Sequence, residues 1–149
     1  MDRRGHGWFV LQFAFFLALL AAPFLQRSAA PRLLHVLGLG VLGSGLGIAA
    51  AVYRALGSSH SPWTTPTPDG HLVTSGIYRW LRHPIYAGWC LGALGGALLT
   101  GSWLGTYVTA ALMVFYDLKA RAEERYLVQQ YAEYAMYARH VSRFVPGIY

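Results

Sequence analysis

The chain has 149 residues, of which 55% are hydrophobic and 12% are charged. This composition is too apolar for an ordinary soluble domain and indicates a single integral membrane domain. The formal net charge of +6 is compatible with a nucleic-acid partner, but no recognised nucleic-acid-binding motif accompanies it and most basic residues border apolar runs. We therefore expect contacts with membrane lipids and none with nucleic acid.

Four apolar runs follow one another along the chain, at residues 7–25, 33–56, 85–100 and 103–116. The first two approach or exceed the roughly 20 residues that cross a bilayer core of about 30 Å. The last two are shorter, and because only Gly101 and Ser102 separate them, they predict a tight helical hairpin. The first run lacks a clear cleavage site, so we expect a membrane span there rather than a signal peptide.

The predicted fold is therefore all-α and integral to the membrane. It has four transmembrane helices, the last two forming the tight hairpin, and a cytoplasmic amphipathic C-terminal helix, which the helical period of residues 119–139 supports. Residues 1–149 form one domain, in which residues 1–56 supply the two N-terminal spans. Residues 57–149 supply a loop, the hairpin and the tail.

The basic residues are distributed unequally between the two sides that four spans define. Only Arg27 and Arg32 fall on one side, and all six acidic residues fall on the other. The positive-inside rule then predicts a multi-pass protein whose termini and active site are cytoplasmic. The ten basic residues on the predicted cytoplasmic side are Arg3, Arg4, Arg54, Arg79, Arg82, Lys119, Arg121, Arg125, Arg139 and Arg143.

Two glycine patterns lie within the apolar runs. Residues 38–43 match the dinucleotide-binding pattern G-x-G-x-x-G, but no strand precedes them and no acidic residue follows at the required distance, so we interpret the match as accidental. Glycines at every fourth position instead predict close helix packing in lipid. These are Gly43 and Gly47 in the second run, and Gly88, Gly92 and Gly96 in the third.

The histidines and the cysteine do not indicate a metal site. Their spacing matches no ordinary zinc pattern, and no cysteine lies near a histidine pair. Cys90 is the one cysteine, so an intrachain disulfide is excluded. The histidines considered for this were His60, His71, His83 and His140.

Three polar segments carry a recognisable pattern, at residues 71–78, 82–88 and 123–127. They read HLVTSGIY, RHPIYAG and EERYL, and the first ends a Ser-, Thr-, Pro- and Gly-rich loop over 57–76. Their order and spacing resemble the isoprenylcysteine carboxyl methyltransferase family and its relatives, the phospholipid N-methyltransferases. The resemblance covers about half the chain, to the closing pattern Y-x-x-Y-x-x-x-V-x-R-F-V-P that ends at Pro146.

The resemblance implies S-adenosyl-L-methionine as cofactor. That molecule carries an ammonium, a carboxylate, hydroxyls and an adenine ring, so its pocket needs acidic acceptors, donors and aromatic surfaces. Pro84 suits the first turn of the third helix, whose backbone N–H groups are positioned to bind the carboxylate. By resemblance, the cofactor-binding residues are His71, Leu72, Val73, Tyr78, His83, Pro84, Tyr86 and Glu123.

The proposed catalytic residues follow the fourth apolar run. Four residues before the cofactor-binding glutamate, the eukaryotic enzymes of the family carry an arginine for the substrate carboxylate, whereas this chain has Lys119, with Arg121 two residues later. Lysine keeps the charge but lacks the planar two-pronged grip of arginine. We assign Lys119, Arg121 and Glu124 to the catalytic group.

The function expected from these residues is methyl transfer to a lipophilic acceptor in the membrane. A carboxylate of a prenylated cysteine or a similar small lipophilic acid is favoured, because positive charge near Lys119 attracts an anion and repels a lipid ammonium. Alternatives are a phospholipid N-methyltransferase, an NADPH-dependent sterol-type reductase and a non-catalytic membrane scaffold. The sequence does not determine the acceptor or the oligomeric state.

Overall fold

The computed structural model describes residues 5–56 and 72–148, which form five α-helices and a 3₁₀ turn at Gly76–Arg79. This confirms an all-helical architecture for the described part of the chain. The helices, in chain order, are α1 (His6–Leu25), α2 (Arg32–Leu56), α3 (Pro84–Thr100), α4 (Trp103–Gln130) and α5 (Tyr134–His140).

The predicted hairpin between α3 and α4 is present, and glycine and serine form its turn. Gly101 has a φ of 65°, a left-handed conformation that favours glycine, and an added Cβ there would collide with the Ser28 carbonyl oxygen. The Ser102 hydroxyl accepts a hydrogen bond from the Gly105 N–H at 3.1 Å and so caps α4.

Hydrogen bonds between helix ends show which helix termini lie at the same end of the bundle. The Ser28 N–H donates to the Gly101 carbonyl at 3.0 Å, and the Leu104 N–H donates to Gln26 Oε1 at 3.0 Å. The loop between α1 and α2 therefore meets the hairpin turn. The start of α1, the end of α2, the start of α3 and the charged half of α4 consequently lie at the opposite end.

Length and mean hydropathy show which helices could span a membrane. Among the described residues, α1 and α2 are long and apolar enough to cross a membrane, with mean hydropathies of 2.1 and 1.9. The apolar helix α3 has 17 residues and is about 26 Å long at 1.5 Å per residue. α4 carries charge from Asp117 onward. Spanning by α3 and α4, and hence the count of four spans, stays a prediction.

Glycines bring α2 and α3 together, but the predicted four-residue register is wrong for most of them. A Cβ on Gly43, Gly47, Gly92 or Gly96 would contact nothing within 4 Å. A Cβ on Gly45 would lie 2.6 Å from the Gly88 carbonyl oxygen, so the two backbones nearly touch there. The contacts repeat after seven residues, or two helical turns. The close glycines are Gly38 and Gly45 on α2 and Gly88 and Gly95 on α3.

The tail differs from the prediction of one amphipathic helix over 119–139. No glycine or proline lies between Thr106 and Val145, so nothing interrupts α4 where its apolar half ends, and it continues to Gln130. The chain then becomes extended at Tyr131 (φ −120°, ψ 113°) before the seven-residue α5. The candidate residues at 119–124 therefore lie on α4 itself.

The core lies where α3 and α4 meet α1. Its buried residues are Tyr86 and Cys90 of α3 and Leu112, Phe115, Tyr116 and Ala120 of α4, with Trp8 and Phe15 of α1 packed against them. Much of the apolar surface of α1 is by contrast exposed, including Phe24 at 90%. Such a surface fits lipid contact. The polar side chains described below adjoin this core.

Candidate active site

The segment Arg82–Tyr86 is held between the tail and α4. The Arg82 N–H donates to the Ser142 carbonyl at 2.8 Å, and the His83 N–H donates to the Arg143 carbonyl at 3.1 Å. Pro84 then begins α3, where its fixed φ suits the first helical position and its missing N–H is not needed. These bonds bring His83 and Tyr86 against the Glu123-Glu124 pair of α4.

Glu124 is the centre of an ion-pair cluster, which we define as Arg82, His83, Asp117, Glu124 and Arg143. Arg143 binds both Glu124 oxygens, through Nε at 3.1 Å and Nη2 at 2.8 Å, and its Nη1 binds Asp117 Oδ1 at 3.1 Å. Arg82 Nε donates to Glu124 Oε1 at 3.0 Å, and His83 Nε2 lies 3.1 Å from the same oxygen. Such a two-pronged arginine contact is among the strongest that a carboxylate accepts.

The same cluster fastens the end of the chain. Arg82 Nη1 also donates to the carbonyls of Ala138 and Val141. The Tyr137 hydroxyl donates to the Tyr78 carbonyl at 2.6 Å. Of the residues in the closing pattern, Tyr137 ties the tail to the segment before α3, and Arg143 ties it to α4.

A second group, which we call the Lys119 cluster, consists of Gln12, Tyr86, Lys119 and Glu123. Lys119 Nζ donates to Gln12 Oε1 at 2.8 Å and lies 5.2 Å from the centre of the Tyr86 ring. The Tyr86 hydroxyl donates to Glu123 Oε1 at 2.5 Å. Lys119 and Glu123 are four residues apart on α4 and so share a face. Lys119 is only 2% exposed.

His83 lies between the two carboxylates. Its Nδ1 is 3.6 Å from Glu123 Oε2, while its Nε2 is the nitrogen that contacts Glu124. The imidazole ring stacks on Tyr86 with centroids 5.5 Å apart and planes 5° apart, and Tyr86 stacks on Tyr116 at 4.4 Å. One histidine and a stack of aromatic rings therefore connect the two clusters.

The two neighbouring glutamates have opposite pKa shifts. Burial raises the pKa of Glu123, although the charge on His83, the Tyr86 hydrogen bond and the charge on Lys119 oppose it. Burial also acts on Glu124, but hydrogen bonds from His83 and Arg143, and the charges on His83 and Arg82, outweigh it and hold its pKa well below the usual range. Such a divergence between adjacent carboxylates is typical of groups with different roles.

The structure brings together some of the predicted cofactor-binding residues. His83, Pro84, Tyr86 and Glu123 adjoin one another. Tyr78 lies in the 3₁₀ turn, and burial raises the pKa of its hydroxyl. Leu72 and Val73 are partly buried and precede that turn, and His71 lies outside the described residues.

The predicted catalytic residues lie in different environments. Lys119 is buried in the Lys119 cluster and Glu124 is fully engaged in the ion-pair cluster. Arg121 lies at the exposed edge of the ion-pair cluster: its side chain is 54% exposed, and its Nε donates to Asp117 Oδ2 at 2.7 Å.

The start of α3 departs from the expectation of free carboxylate-binding donors. The Tyr86 and Ala87 N–H groups both donate to the His83 carbonyl, at 3.2 and 3.3 Å. Two of the donors expected to face a ligand are thus already used by the chain.

Sequence reasoning assigned no role to five side chains that the structure places in the site. Arg82 and Arg143 lie within recognised motifs, and that position is the signal that could have identified them. Asp117, the first charge after the fourth apolar run, was noted only for its charge. Gln12 and Tyr116 lie in apolar runs whose pattern predicts packing, and no sequence signal distinguishes them.

The available groups fit S-adenosyl-L-methionine. Glu123 Oε2 accepts no hydrogen bond from residues 5–56 and 72–148, so an ammonium or a ribose hydroxyl can donate to it. The Tyr116 hydroxyl is buried without a partner within the same residues. Nowhere in these residues do three metal-ligating side chains converge. The donor set is therefore suited to an organic cation.

Comparison with known proteins adds relatives of stated activity. The curated protein-S-isoprenylcysteine O-methyltransferase of Schizosaccharomyces pombe is 34% identical over 75% of this chain and 48% of its own length. The enzyme of the same name from Saccharomyces cerevisiae is 34% identical over 81% and 52%. The cobalt-zinc-cadmium resistance protein CzcN of Cupriavidus metallidurans is 36% identical over 76% and 50%. The chain thus spans about half the length of these relatives.

A solved structure shares the fold. The eukaryotic intramembrane Ras methyltransferase ICMT (isoprenylcysteine carboxyl methyltransferase) matches with a TM-score of 0.70 and 22% identity, over 99% of this chain and 55% of that one. A family model described as phospholipid methyltransferase matches residues 33–134. Since that match covers more than half of the sequence, and agrees with the motifs around His83 and Glu123, this chain belongs to the phospholipid methyltransferase family.

Proposed function

We propose that the protein is an S-adenosyl-L-methionine-dependent integral membrane methyltransferase. Its acceptor is a lipophilic carboxylate, with prenylated cysteine as the favoured substrate. The observation that carries this proposal is the Lys119 cluster, in which a buried ammonium and a partly buried carboxylate lie beside the same tyrosine ring. A cationic cofactor and an anionic acceptor require these two opposite charges close together.

The chain's own residues divide the binding tasks. The cofactor supplies an electrophilic methyl group on a sulfonium. Glu123 binds its ammonium or ribose, and Tyr86 and His83 orient Glu123 and present aromatic surface. Leu72, Val73 and Tyr78 cover it from water. Pro84 fixes the start of α3. The protein contributes alignment and exclusion of water to an in-line displacement.

The acceptor side depends on Lys119. A carboxylate is ionised at neutral pH and needs a cationic partner, whereas a lipid ammonium must first lose a proton before it attacks. Lys119 favours the carboxylate, and Arg121 adds positive charge at the exposed face of α4. Glu124 acts by position, because its bonds to Arg82 and Arg143 hold the tail and α3 in register. The names of the yeast relatives agree with a prenylcysteine acceptor.

Phospholipid N-methylation is the second candidate. The description of the matching family model favours it, and Glu123, whose pKa burial raises, is suited to take a proton from an amine. Under this alternative, Lys119 would repel the substrate ammonium. That repulsion is the reason for ranking it second.

The test is a labelling experiment in detergent. Purified protein is incubated with methyl-labelled S-adenosylmethionine and either N-acetyl-S-farnesylcysteine or phosphatidylethanolamine, and the product is treated with base. We expect label on the thioether acid that base releases as methanol. The methyl ester of the same acid is the matched control and should accept nothing. Base-stable label on the phospholipid, with none on the acid, would establish the amine reaction instead.

We further propose four spans, with the termini and the site on the cytoplasmic side. The placement of Arg27 and Arg32 at the hairpin-turn end supports it, since the other described basic residues lie toward the opposite end. In a Cys90→Ala background, an impermeant maleimide should label Ala29→Cys from outside cells and Ala132→Cys only after the inner face is opened. Labelling of both positions from one side would contradict this topology.

A further inference from the structure

The first helix contributes a side chain to the candidate site although no motif lies on it. α1 ends at Leu25, before the matched residues 33–134. Gln12, in its second turn, nevertheless accepts the hydrogen bond from Lys119, across 107 positions of sequence. A polar side chain that reaches the core from an otherwise apolar helix needs a reason, because burying it costs free energy.

The Lys119 ammonium is incompletely paired. Within the described ranges 5–56 and 72–148, Gln12 is its one hydrogen-bond partner, and no carboxylate oxygen lies within 4 Å of Nζ. The Tyr86 ring face supplies a weaker contact at 5.2 Å. An ammonium has three donors, so two remain for a ligand. A buried cation in this state is stabilised when an anion binds beside it.

The Gln12 amide offers a second donor next to that cation. Its Oε1 is occupied by Lys119, and its Nε2 donates to nothing else in the described part of the chain. The amide oxygen and nitrogen share one planar group, so the free N–H groups lie close to the ammonium. An ammonium and an amide N–H side by side match the two oxygens of a carboxylate, which a single lysine cannot bind as a planar pair.

We propose that Gln12 is a specificity-determining residue that, together with Lys119, binds the methyl-accepting carboxylate. Lys119 donates to one carboxylate oxygen and Gln12 Nε2 donates to the other, so that α1 completes the acceptor site. This inference rests on the proposed carboxyl methyltransferase function. It assigns to the first span a role in the choice of acceptor and none in cofactor binding.

Gln12→Glu tests Gln12 and Lys119 together as one acceptor site, and Gln12→Ala tests Gln12 alone. If neither side chain contacted the acceptor, Glu would form an ion pair with Lys119 and leave acceptor kinetics unchanged. As part of the acceptor site, Glu places a carboxylate where the substrate carboxylate must bind. We expect the KM for N-acetyl-S-farnesylcysteine to rise about 10- to 150-fold, with S-adenosylhomocysteine affinity within about 2-fold of wild type.

Gln12→Ala should give a smaller increase in KM than Gln12→Glu, and Gln26→Ala is the matched control. Gln12→Ala should raise the same KM by about 2- to 13-fold, the value of one hydrogen bond. Gln26 directly follows α1 and also bonds to α4, through the Leu104 N–H, but at the hairpin-turn end. Its loss should leave both KM and cofactor affinity unchanged.

The outcomes separate this inference from the function on which it depends. Wild-type KM in Gln12→Glu would overturn the inference alone, as would equal KM increases in Gln12→Ala and Gln26→Ala. Loss of S-adenosylhomocysteine binding in the Gln12 variants would assign the residue to the general fold and also overturn it. If wild-type protein binds the cofactor but methylates no carboxylate, the proposed function fails, and the inference fails with it.

Discussion

Glu123 and Glu124 are neighbours in sequence but lie in opposite environments. Glu124 receives two arginines and a histidine, each within 3.1 Å. Glu123 accepts one tyrosine hydroxyl on one oxygen, and His83 Nδ1 lies 3.6 Å from the other. The ion-pair cluster is thus satisfied by the chain itself, whereas the Lys119 cluster retains unused donors and an unused acceptor.

This difference shows how the fold divides stability and binding. Buried charges that are fully paired hold elements in place, and breaking the pairing is costly. Buried charges that are incompletely paired weaken the ligand-free protein but are ready to bind ligands of complementary charge. We therefore expect the ion-pair cluster to determine folding and the Lys119 cluster to determine ligand affinity.

The largest expected effect is on folding. Arg143→Ala removes three hydrogen bonds to Glu124 and Asp117 and should lower the free energy of unfolding by about 3–5 kcal/mol. Arg121→Ala, the matched control, removes an exposed arginine from the same Asp117 and should cost no more than about 0.5 kcal/mol. Denaturant unfolding in detergent measures both. Equal losses would contradict the special role of the ion-pair cluster.

The next effect is on acceptor use. Lys119→Met replaces a buried ammonium by an apolar side chain of similar length, so the ligand-free protein should be as stable as wild type or more stable. Carboxylate methylation should nevertheless fall about 10- to 150-fold in kcat/KM, because a charge-assisted contact is lost. Steady-state kinetics and thermal unfolding of one preparation test this. Unchanged kcat/KM would remove Lys119 from the acceptor site.

A smaller effect concerns pH. The raised pKa of Glu123 favours its protonated form in the folded state, so its contribution to stability is present below its ordinary pKa of about 4.3 and is lost as the pH rises through the folded value. Glu124 has the opposite sign: its depressed pKa stabilises the fold above about pH 4.3, and that stability is lost as the pH falls.

Glu123→Gln should therefore gain stability relative to wild type as the pH rises above about 4.3, by up to about 1.4 kcal/mol per pH unit until the folded pKa is passed. Glu124→Gln should be less stable than wild type by a constant amount over the same rise, because the contribution of Glu124 changes only as the pH falls below about 4.3. Thermal unfolding between about pH 4 and pH 8 compares them. Parallel curves for the two variants would show that the glutamates are equivalent.

The features that could be predicted are those that residues close together in sequence determine, such as helix positions and turns. The apolar runs predicted the positions of the four long helices, and Gly101-Ser102 predicted the hairpin turn. The motifs predicted that His83, Tyr86 and Glu123 adjoin. The prediction of the packing glycines was wrong for most of them. A four-residue spacing shows that glycines share one face of a helix, but it does not show which of them face the neighbouring helix.

The contacts between distant elements were not predictable from one sequence. Nothing local shows that Gln12 meets Lys119, or that Arg143 reaches back to Asp117, because these pairs depend on how α1 and the tail pack on α4. The predicted tail helix was wrong because the helical period continues across residues 119–139, whereas α4 ends at Gln130 and the chain is extended at Tyr131. Tertiary packing decides such boundaries more than local propensity does.

The central claim is that Glu123 binds ligand while Glu124 holds the fold. Calorimetric titration of S-adenosylhomocysteine into wild type and Glu123→Gln, with the melting temperature of each ligand-free protein, tests it most directly. We predict that the affinity of Glu123→Gln falls about 10- to 150-fold through the lost charge, while its ligand-free melting temperature equals or exceeds that of wild type. Wild-type affinity, or a lower melting temperature with affinity retained, would contradict the account.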